Sequence, residues 1–267
     1  MHPLATITIP CTPHLAVSAA GRGPLVLMVH GMGGDRHTWR AQIEALSRHG
    51  FTAASVDLRG YGGSGDIEGP LDFHRDFGAD LLAVLDHFHA PRAHLVGLSM
   101  GSRVVRSLAL RHPARVASLV LANSSPGFDA MPPDEVERFI ADRSAAFQGG
   151  QVPASFGMDQ ARAMCAPDAA PEALRTAAEA MQRIRLKNYL TVLAAATRQD
   201  RGDRLEQIAC PTLVITSDLD RVYPEPVTRQ LLARIPGVTH VRIERAGHLS
   251  NLEQPEAFNR ALLDFLR

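Results

Sequence analysis

Gly97-Leu98-Ser99-Met100-Gly101 is a G-x-S-x-G sequence between an apparent strand and an apparent helix. The apolar pair Leu95-Val96 leads into it, and Val104-Val105 and Leu108-Ala109 continue with helical spacing. A serine on such a sharp strand-to-helix turn holds its hydroxyl above the sheet, and the flanking glycines relieve the crowding of the turn. Glycine and serine are also common in ordinary turns. The rest of the chain must therefore decide whether Ser99 is a nucleophile.

Short apolar runs rich in β-branched residues recur along the chain and predict eight strands. They lie at Thr6 to Ile9, Leu15 to Ala19, Leu25 to Val29, Thr52 to Val56, His94 to Val96, Val116 to Leu121, Thr212 to Thr216 and Thr239 to Ile243. Amphipathic stretches with helical spacing separate most of them. This alternation predicts an α/β fold, a mostly parallel eight-stranded sheet with helices on both faces. The first two strands predict an antiparallel hairpin at one edge.

One region interrupts the alternation. From about Gly127 to Asp200 the sequence contains helix-like segments and no convincing strand. We predict that residues 127–200 form a helical cap over the carboxyl ends of the sheet, where open α/β sheets bind their ligands. Residues 1–126 and 201–267 then form the core. An independent helical domain is the alternative, but the stretch is too small to bury much surface alone.

Composition limits the partners. The chain has 267 residues, 45% of them hydrophobic, with 28 basic and 28 acidic side chains and zero formal net charge. No global field attracts nucleic acid or an anionic membrane, so a small-molecule substrate is favoured, and a homo-oligomer is left open. No signal sequence or membrane span is recognisable. Cys11, Cys165 and Cys210 lack disulfide or zinc spacing, and we predict a cytoplasmic location.

Two patterns could indicate a metal or a cofactor, and both are discounted. Asp86, His87 and His89 cannot all share one helical face, which favours a solvated helix end over a metal site. Gly60 to Gly65 matches G-x-G-x-x-G, with Asp80 at the spacing of a ribose contact. A dinucleotide-binding loop opens directly into a helix, however, and acidic and helix-breaking residues follow here. We therefore predict no metal and no cofactor.

A serine nucleophile needs a base, an acid that orients the base, and donors for the developing oxyanion. His248 follows the last predicted strand and is the candidate base for Ser99. Asp218 and Asp220 both follow the preceding strand. Asp218 suits a turn, whereas Asp220 lies further into the loop, where it could reach the imidazole and fix its tautomer. We favour Asp220 as the orienting acid.

The oxyanion donors are predicted from the glycine-rich loop His30 to Gly34, which follows a strand. The backbone N–H of Met32, together with that of Met100, would form the oxyanion hole. We expect His30 to shape this loop rather than to transfer protons. Arg183 and Lys187, in the predicted cap, could bind a substrate carboxylate, although a solvated helix face is the commoner reason for such a cluster.

Together, these motifs resemble the α/β-hydrolase superfamily, and the resemblance spans nearly the whole chain. The closing run from His248 to Pro255 resembles 3-oxoadipate enol-lactonases and related bacterial esterases. Relatives with an aspartate nucleophile are disfavoured because the elbow carries Ser99. Carbon–carbon bond hydrolases often have tryptophan after the histidine, where this chain has Leu249. Ser102 departs from the second glycine of many relatives.

The resemblance and the residues favour a cofactor-free serine hydrolase that cleaves a carboxylic ester or lactone, such as an enol-lactone of aromatic catabolism, through an acyl-enzyme. Two alternatives stay open. A ligand sensor could keep the fold and signal through its cap to a protein partner. A carbon–carbon bond hydrolase, amidase or peptidase would use the same machinery on another substrate.

Overall fold

The computed structural model describes residues 4–200 and 203–267 and contains the eight-stranded sheet that the sequence predicts. The strand order is β1-β2-β4-β3-β5-β6-β7-β8. The strands are β1 Ala5–Ile9, β2 Leu15–Gly21, β3 Leu25–Val29, β4 Thr52–Val56, β5 Ala93–Leu98, β6 Val116–Ala122, β7 Thr212–Ser217 and β8 Thr239–Ile243. Strand β2 runs antiparallel to β1 and β4, and all other neighbours are parallel.

Helices cover both faces of the sheet. They are α1 Arg40–Arg48, α2 Phe73–His87, α3 Met100–Arg111, α4 Pro133–Ser144, α5 Phe156–Met164, α6 Pro171–Gln182, α7 Leu186–Gln199, α8 Glu225–Arg234, α9 Ser250–Glu253 and α10 Pro255–Leu266. Apolar residues of α2, α3 and α8 join one core cluster, and those of α1 and α10 join the other. In the described residues, no helix has the length and apolar composition that crossing a membrane requires.

Alternation along β3 explains the two clusters. Leu25, Leu27 and Val29 pack into one cluster, whereas Val26 and Met28 pack into the other. Because successive strand side chains point to opposite faces, a strand covered on both sides must be apolar throughout. All five residues of β3 are buried. The continuous apolar run in the sequence therefore belongs to a central strand.

Residues 127–200, called the insertion below, connect β6 to β7 and contain helices α4 to α7. Many apolar side chains of the insertion, such as Phe156 and Tyr189, pack into the same cluster as Val26 and Met28. The insertion thus shares its core with the sheet. The division into core and cap domains stays a prediction, and the predicted start of the second core segment at residue 201 lies outside the described residues.

A buried ion-pair cluster joins the end of the insertion to α3. Arg103 Nη1 lies 2.7 Å from Asp200 Oδ2, and Arg106 Nη2 lies 3.0 Å from Asp200 Oδ1. Asp203 forms ion pairs with Arg106 and, at the solvent edge, with Arg111. Burial alone would raise the pKa of Asp200, but Arg106 and Arg103 outweigh it and lower that pKa. The carboxylate of Asp200 therefore compensates two guanidinium groups that water does not reach.

Replacing Asp200 with asparagine should cost about 3–5 kcal/mol of unfolding free energy, because Arg103 and Arg106 would stay buried without their counter-ion. A lowered folded pKa means that this stabilisation is present above the unfolded value and is lost as the pH falls through the folded value. The deficit, measured by urea unfolding, should therefore be full at pH 7 and shrink below about pH 4. Glu137→Gln, which breaks the exposed pair with Arg198, is the control and should leave stability nearly unchanged. A deficit that is equal at pH 3 and pH 7 would contradict this assignment.

Candidate active site

Ser99 occupies a strained turn between β5 and α3. Its backbone has φ 54° and ψ −117°, a region that side chains rarely adopt. A Cβ on Gly97 would lie 2.4 Å from the Gly101 carbonyl oxygen, and one on Gly101 would lie 2.2 Å from that of Val29. Only glycine fits at both positions. The pentapeptide is thus a tight elbow that presents Ser99, half-buried, at the carboxyl end of the sheet.

Ser102, which stands where many relatives have a second glycine, tightens the elbow. Its hydroxyl donates to the carbonyl oxygen of Gly97 at 2.7 Å and lies 3.1 Å from that of Ala122. These oxygens belong to β5 and β6. The Ser102 side chain therefore ties the first turn of α3 to both β5, which precedes the helix, and β6, which follows it.

His248 and Asp220 form a buried pair. The imidazole Nδ1 lies 3.0 Å from Asp220 Oδ2 and 3.2 Å from Oδ1, and both side chains are almost fully buried. Since a carboxylate only accepts, Nδ1 carries the proton of the neutral ring, which leaves Nε2 as the nitrogen able to accept one. Asp218, the competing carboxylate, instead accepts from the backbone N–H of Ala246.

Donors hold the carboxylate of Asp220 ionised. The backbone N–H groups of Val222 and Tyr223 donate to Oδ1 at 2.8 and 3.0 Å, and Asn123 Nδ2 donates to Oδ2 at 3.0 Å. Burial would raise the pKa of Asp220, but the neighbouring His248 and these hydrogen bonds lower it below its usual range. Asp220 can therefore orient the imidazole and stabilise its protonated form.

Sequence reasoning missed Asn123. It follows β6, adopts a positive φ of 46°, and is fully buried. Its side-chain oxygen accepts from the Ser250 hydroxyl at 2.6 Å, which orients the amide so that Nδ2 faces Asp220. An asparagine directly after a strand that ends beside the elbow is the signal that could have identified it.

The loop after β3 lies against the elbow. A Cβ on Gly31 would lie 3.2 Å from Cβ of Ser99. Within the described residues, no hydrogen-bond acceptor is found for the backbone N–H of Met32 or Met100. Both residues line the same cavity as Ser99 and His248. These two amides are therefore available for a ligand oxygen, and their role as an oxyanion hole stays a prediction.

His30 is locked in place by the loop. Its Nδ1 donates to the carbonyl oxygen of Gly31 at 2.8 Å, and its Nε2 accepts from the backbone N–H of Leu58 at 3.1 Å. Burial lowers the pKa of His30, so the ring stays neutral. Both nitrogens are occupied, which suits a shaping residue rather than a proton carrier.

The glycine-rich loop 60–65 closes around a carboxylate of its own chain. Asp57 accepts from the backbone N–H of Gly63 at 2.7 Å and pairs with Arg36. A Cβ on Gly62 would collide with this carboxylate. The N–H of Gly63 is therefore taken by Asp57, and those of Gly60, Tyr61, Ser64 and Gly65 donate to backbone carbonyl oxygens. Helix α2 begins only at Phe73. No group of three His, Cys, Asp or Glu residues suited to a metal occurs in the described part of the chain.

A cavity of about 220 Å³ lies between the elbow and the insertion. Ser99, Met32, Met100 and His248 line one side. The opposite wall is largely apolar and comes mainly from the insertion: Phe128, Phe139, Phe156, Ala163, Met164, Ala177, Ala180, Met181, Tyr189 and Leu193. The insertion thus supplies most of the apolar lining of the cavity.

The charged groups of the cavity wall are Arg103 and Arg143, and neither was singled out from the sequence. Arg183 and Lys187, the predicted carboxylate ligands, do not line this cavity within the described residues. Arg183 Nη2 instead pairs with Asp35 at 2.6 Å, and Lys187 is exposed. Their predicted contact with a substrate stays a prediction.

A family model described as the alpha/beta hydrolase fold matches residues 24–255. The chain belongs to this family. A 2-hydroxy-6-oxononadienedioate/2-hydroxy-6-oxononatrienedioate hydrolase of Burkholderia vietnamiensis is 32% identical over 95% of the chain and 90% of its own length. A 3-oxoadipate enol-lactonase of Acinetobacter baylyi is 27% identical over 90% of the chain and 87% of its own length.

Among solved structures, a thermophilic esterase from Thermogutta terrifontis, with malate bound, matches this α/β hydrolase with a TM-score of 0.84. It is 28% identical and covers 99% of the chain and 98% of its own. These relatives support a hydrolase activity for the chain. Their names differ, however, in the substrate: one is a dioate hydrolase, one an enol-lactonase and one an esterase.

The elbow of this α/β hydrolase should not tolerate a larger residue at position 97. Gly97→Ala should lower the melting temperature or abolish folding, because its Cβ would lie 2.4 Å from backbone atoms of Gly101 and Ser102. Gly149→Ala is the matched control, since a Cβ there meets nothing within 4 Å. Equal melting temperatures for the two variants would contradict the tight turn.

Proposed function

We propose that this α/β hydrolase is a serine hydrolase that cleaves a carboxylic ester or lactone without a cofactor. Ser99 is the nucleophile, His248 the general base and Asp220 the orienting acid. The backbone N–H groups of Met32 and Met100 form the oxyanion hole. The observation that carries the proposal is the His248–Asp220 pair, whose histidine lines the same cavity as the strained Ser99.

The reaction would proceed in two halves. His248 Nε2 takes the Ser99 proton as the hydroxyl oxygen attacks the substrate carbonyl, and Asp220 stabilises the resulting imidazolium. The carbonyl oxygen gains negative charge beside the amides of Met32 and Met100, which are fixed before the reaction begins. The imidazolium then donates its proton to the leaving alcohol. Water, activated by the same base, releases the acid from the acyl-enzyme.

Ser99→Ala should lower kcat by up to about a million-fold, as for serine enzymes in which the triad acts as a unit. The measurement is steady-state hydrolysis of p-nitrophenyl esters of increasing acyl length, beside an enol-lactone, an amide and a 2-hydroxy-6-oxo-dienoate. Ser107→Ala, a buried serine of the same helix that lies outside the cavity wall, is the control and should keep most of the activity. Retention of esterase activity by Ser99→Ala would exclude the proposed nucleophile.

The same panel separates the bond types. Turnover of the dienoate above that of every ester would favour a carbon–carbon bond hydrolase, the activity in the name of the Burkholderia relative. Leu249, rather than tryptophan, follows His248 and favours the ester or lactone. Turnover far below about 1 per second on every substrate would favour the ligand sensor.

We further propose that the substrate carries a carboxylate, bound by Arg143. The guanidinium carbon of Arg103 lies 5.0 Å from the Phe128 ring, that of Arg143 lies 4.4 Å from the Phe139 ring, and the two rings are 5.5 Å apart. An apolar wall with a cation at each end suits an organic acid. Arg103 is already paired with Asp200, whereas Arg143 takes part in none of the ion pairs found among the described residues. The enol-lactonase and dioate hydrolase are named for acids of this kind, and the esterase holds malate.

Arg143→Ala should raise KM about five- to tenfold for an ester with a terminal carboxylate and leave KM for the matching neutral ester unchanged. Lys187→Ala, which removes an exposed cation outside the cavity, should affect neither substrate. Steady-state kinetics on the two esters gives both values. A larger effect from Lys187→Ala would instead support the carboxylate site predicted from the sequence.

A further inference from the structure

Glu253 binds the backbone on both sides of His248. Its Oε2 accepts from the N–H of Gly247 at 3.0 Å, and its Oε1 accepts from the N–H of Leu249 at 3.1 Å. The side chain is buried and belongs to α9, directly after the histidine loop. A carboxylate that accepts two flanking amides holds that short backbone segment in one conformation.

The insertion contributes to the same set of hydrogen bonds. Glu253 Oε2 also accepts from the N–H of Ala166 at 2.7 Å. The N–H of His248 itself donates to the carbonyl oxygen of Met164 at 2.8 Å. All three consecutive amides from residue 247 to 249 are therefore fixed, either by Glu253 or by Met164, the last residue of α5.

The two loops are in close contact. A Cβ on Gly247 would lie 2.4 Å from the Met164 carbonyl oxygen and 2.7 Å from the Ala166 nitrogen. On the acid side, Arg221 Nη2 donates to the carbonyl oxygens of Arg162 and Cys165 at 2.9 and 3.0 Å. Residues 162–166, which are the end of α5 and the two residues after it, are called the docking loop below; they contact the segments that carry both His248 and Asp220.

We propose that Glu253 is a positioning residue for His248 and that the docking loop completes its hydrogen-bond set, so that seating of the insertion sets the orientation of the imidazole. The proposal rests on the proposed function, in which His248 is the base. Glu253 does not line the cavity, and its contacts with the histidine segment are to backbone N–H groups. A displacement of about 1 Å at a reacting group can cost about a hundredfold in rate, which gives such positioning a measurable effect.

The test replaces Glu253 with glutamine in the full chain. The glutamine side chain keeps the shape of glutamate but replaces one acceptor oxygen with an NH₂ donor. This donor would face a backbone N–H and could not accept its hydrogen bond. Glu256→Gln is the matched control, because Glu256 is exposed three residues further along. Two readouts are used: kcat and KM on the best ester, and the proton NMR signal of His248 Nδ1–H, assigned by its loss in Asp220→Asn.

Glu253→Gln should lower kcat about 10- to 100-fold, change KM by less than about threefold, and shift or broaden the Nδ1–H signal. Glu256→Gln should match the wild type in all three. Wild-type kcat and an unchanged signal in folded Glu253→Gln would overturn the proposal. Should that variant not fold, Glu253→Asp, which keeps the charge but is one methylene too short to reach both flanking amides, is judged by the same two results.

The NMR signal is recorded without substrate. The positioning role of Glu253 can therefore be tested separately from the proposed hydrolase function. A wild-type protein without Ser99-dependent turnover would refute the proposed function. The signal of Glu253→Gln would still decide whether Glu253 positions His248, since a shifted signal supports positioning and an unchanged one excludes it.

Discussion

The hydrogen bond between His248 Nδ1 and Asp220 is the interaction on which the site depends. The two residues follow β8 and β7, which are parallel neighbours whose carboxyl ends meet at the same edge of the sheet. Ser99 and Met32 follow β5 and β3 at that edge. The sheet topology therefore brings four segments distant in sequence to one cavity. An antiparallel arrangement of any of these strands would carry its loop to the opposite edge.

Because this hydrogen bond is buried, its carboxylate is removed from water and needs other donors. A carboxylate removed from water must be compensated by donors. Asp220 has the imidazole, two backbone amides and Asn123, and its pKa is lowered despite burial. The buried carboxylate of Glu253 is likewise compensated, by the backbone N–H groups of Gly247, Leu249 and Ala166. Asp200 compensates the cations of α3 at the C-terminal end of the insertion. The insertion is thus fixed to the core by polar groups in its middle and at its C-terminal end.

Much of this arrangement could be predicted from local sequence. Each of the eight strands is present, because apolar runs and turn residues define them without long-range information. The order of Ser99, Asp220 and His248 along the chain also identified the segments that meet. The choice of Asp220 over Asp218 followed from loop position, and the structure brings Asp220 to the imidazole.

The residues that sequence reasoning missed act across long sequence separations. Asn123 contacts residues 217, 220 and 250, and Arg103 reaches Asp200. No local pattern encodes such contacts. Arg183 and Lys187 were chosen as cations of the insertion, but which side of a helix faces a cavity depends on how the insertion packs. The cavity wall instead contains Arg103 and Arg143.

The most direct test of the account is covalent labelling with a fluorophosphonate, which reacts with a serine hydroxyl activated by a neighbouring base. Peptide mass spectrometry should find one adduct, on Ser99, and His248→Ala should slow its formation by several orders of magnitude. Labelling of a different residue, or equal rates in the wild type and His248→Ala, would contradict the account.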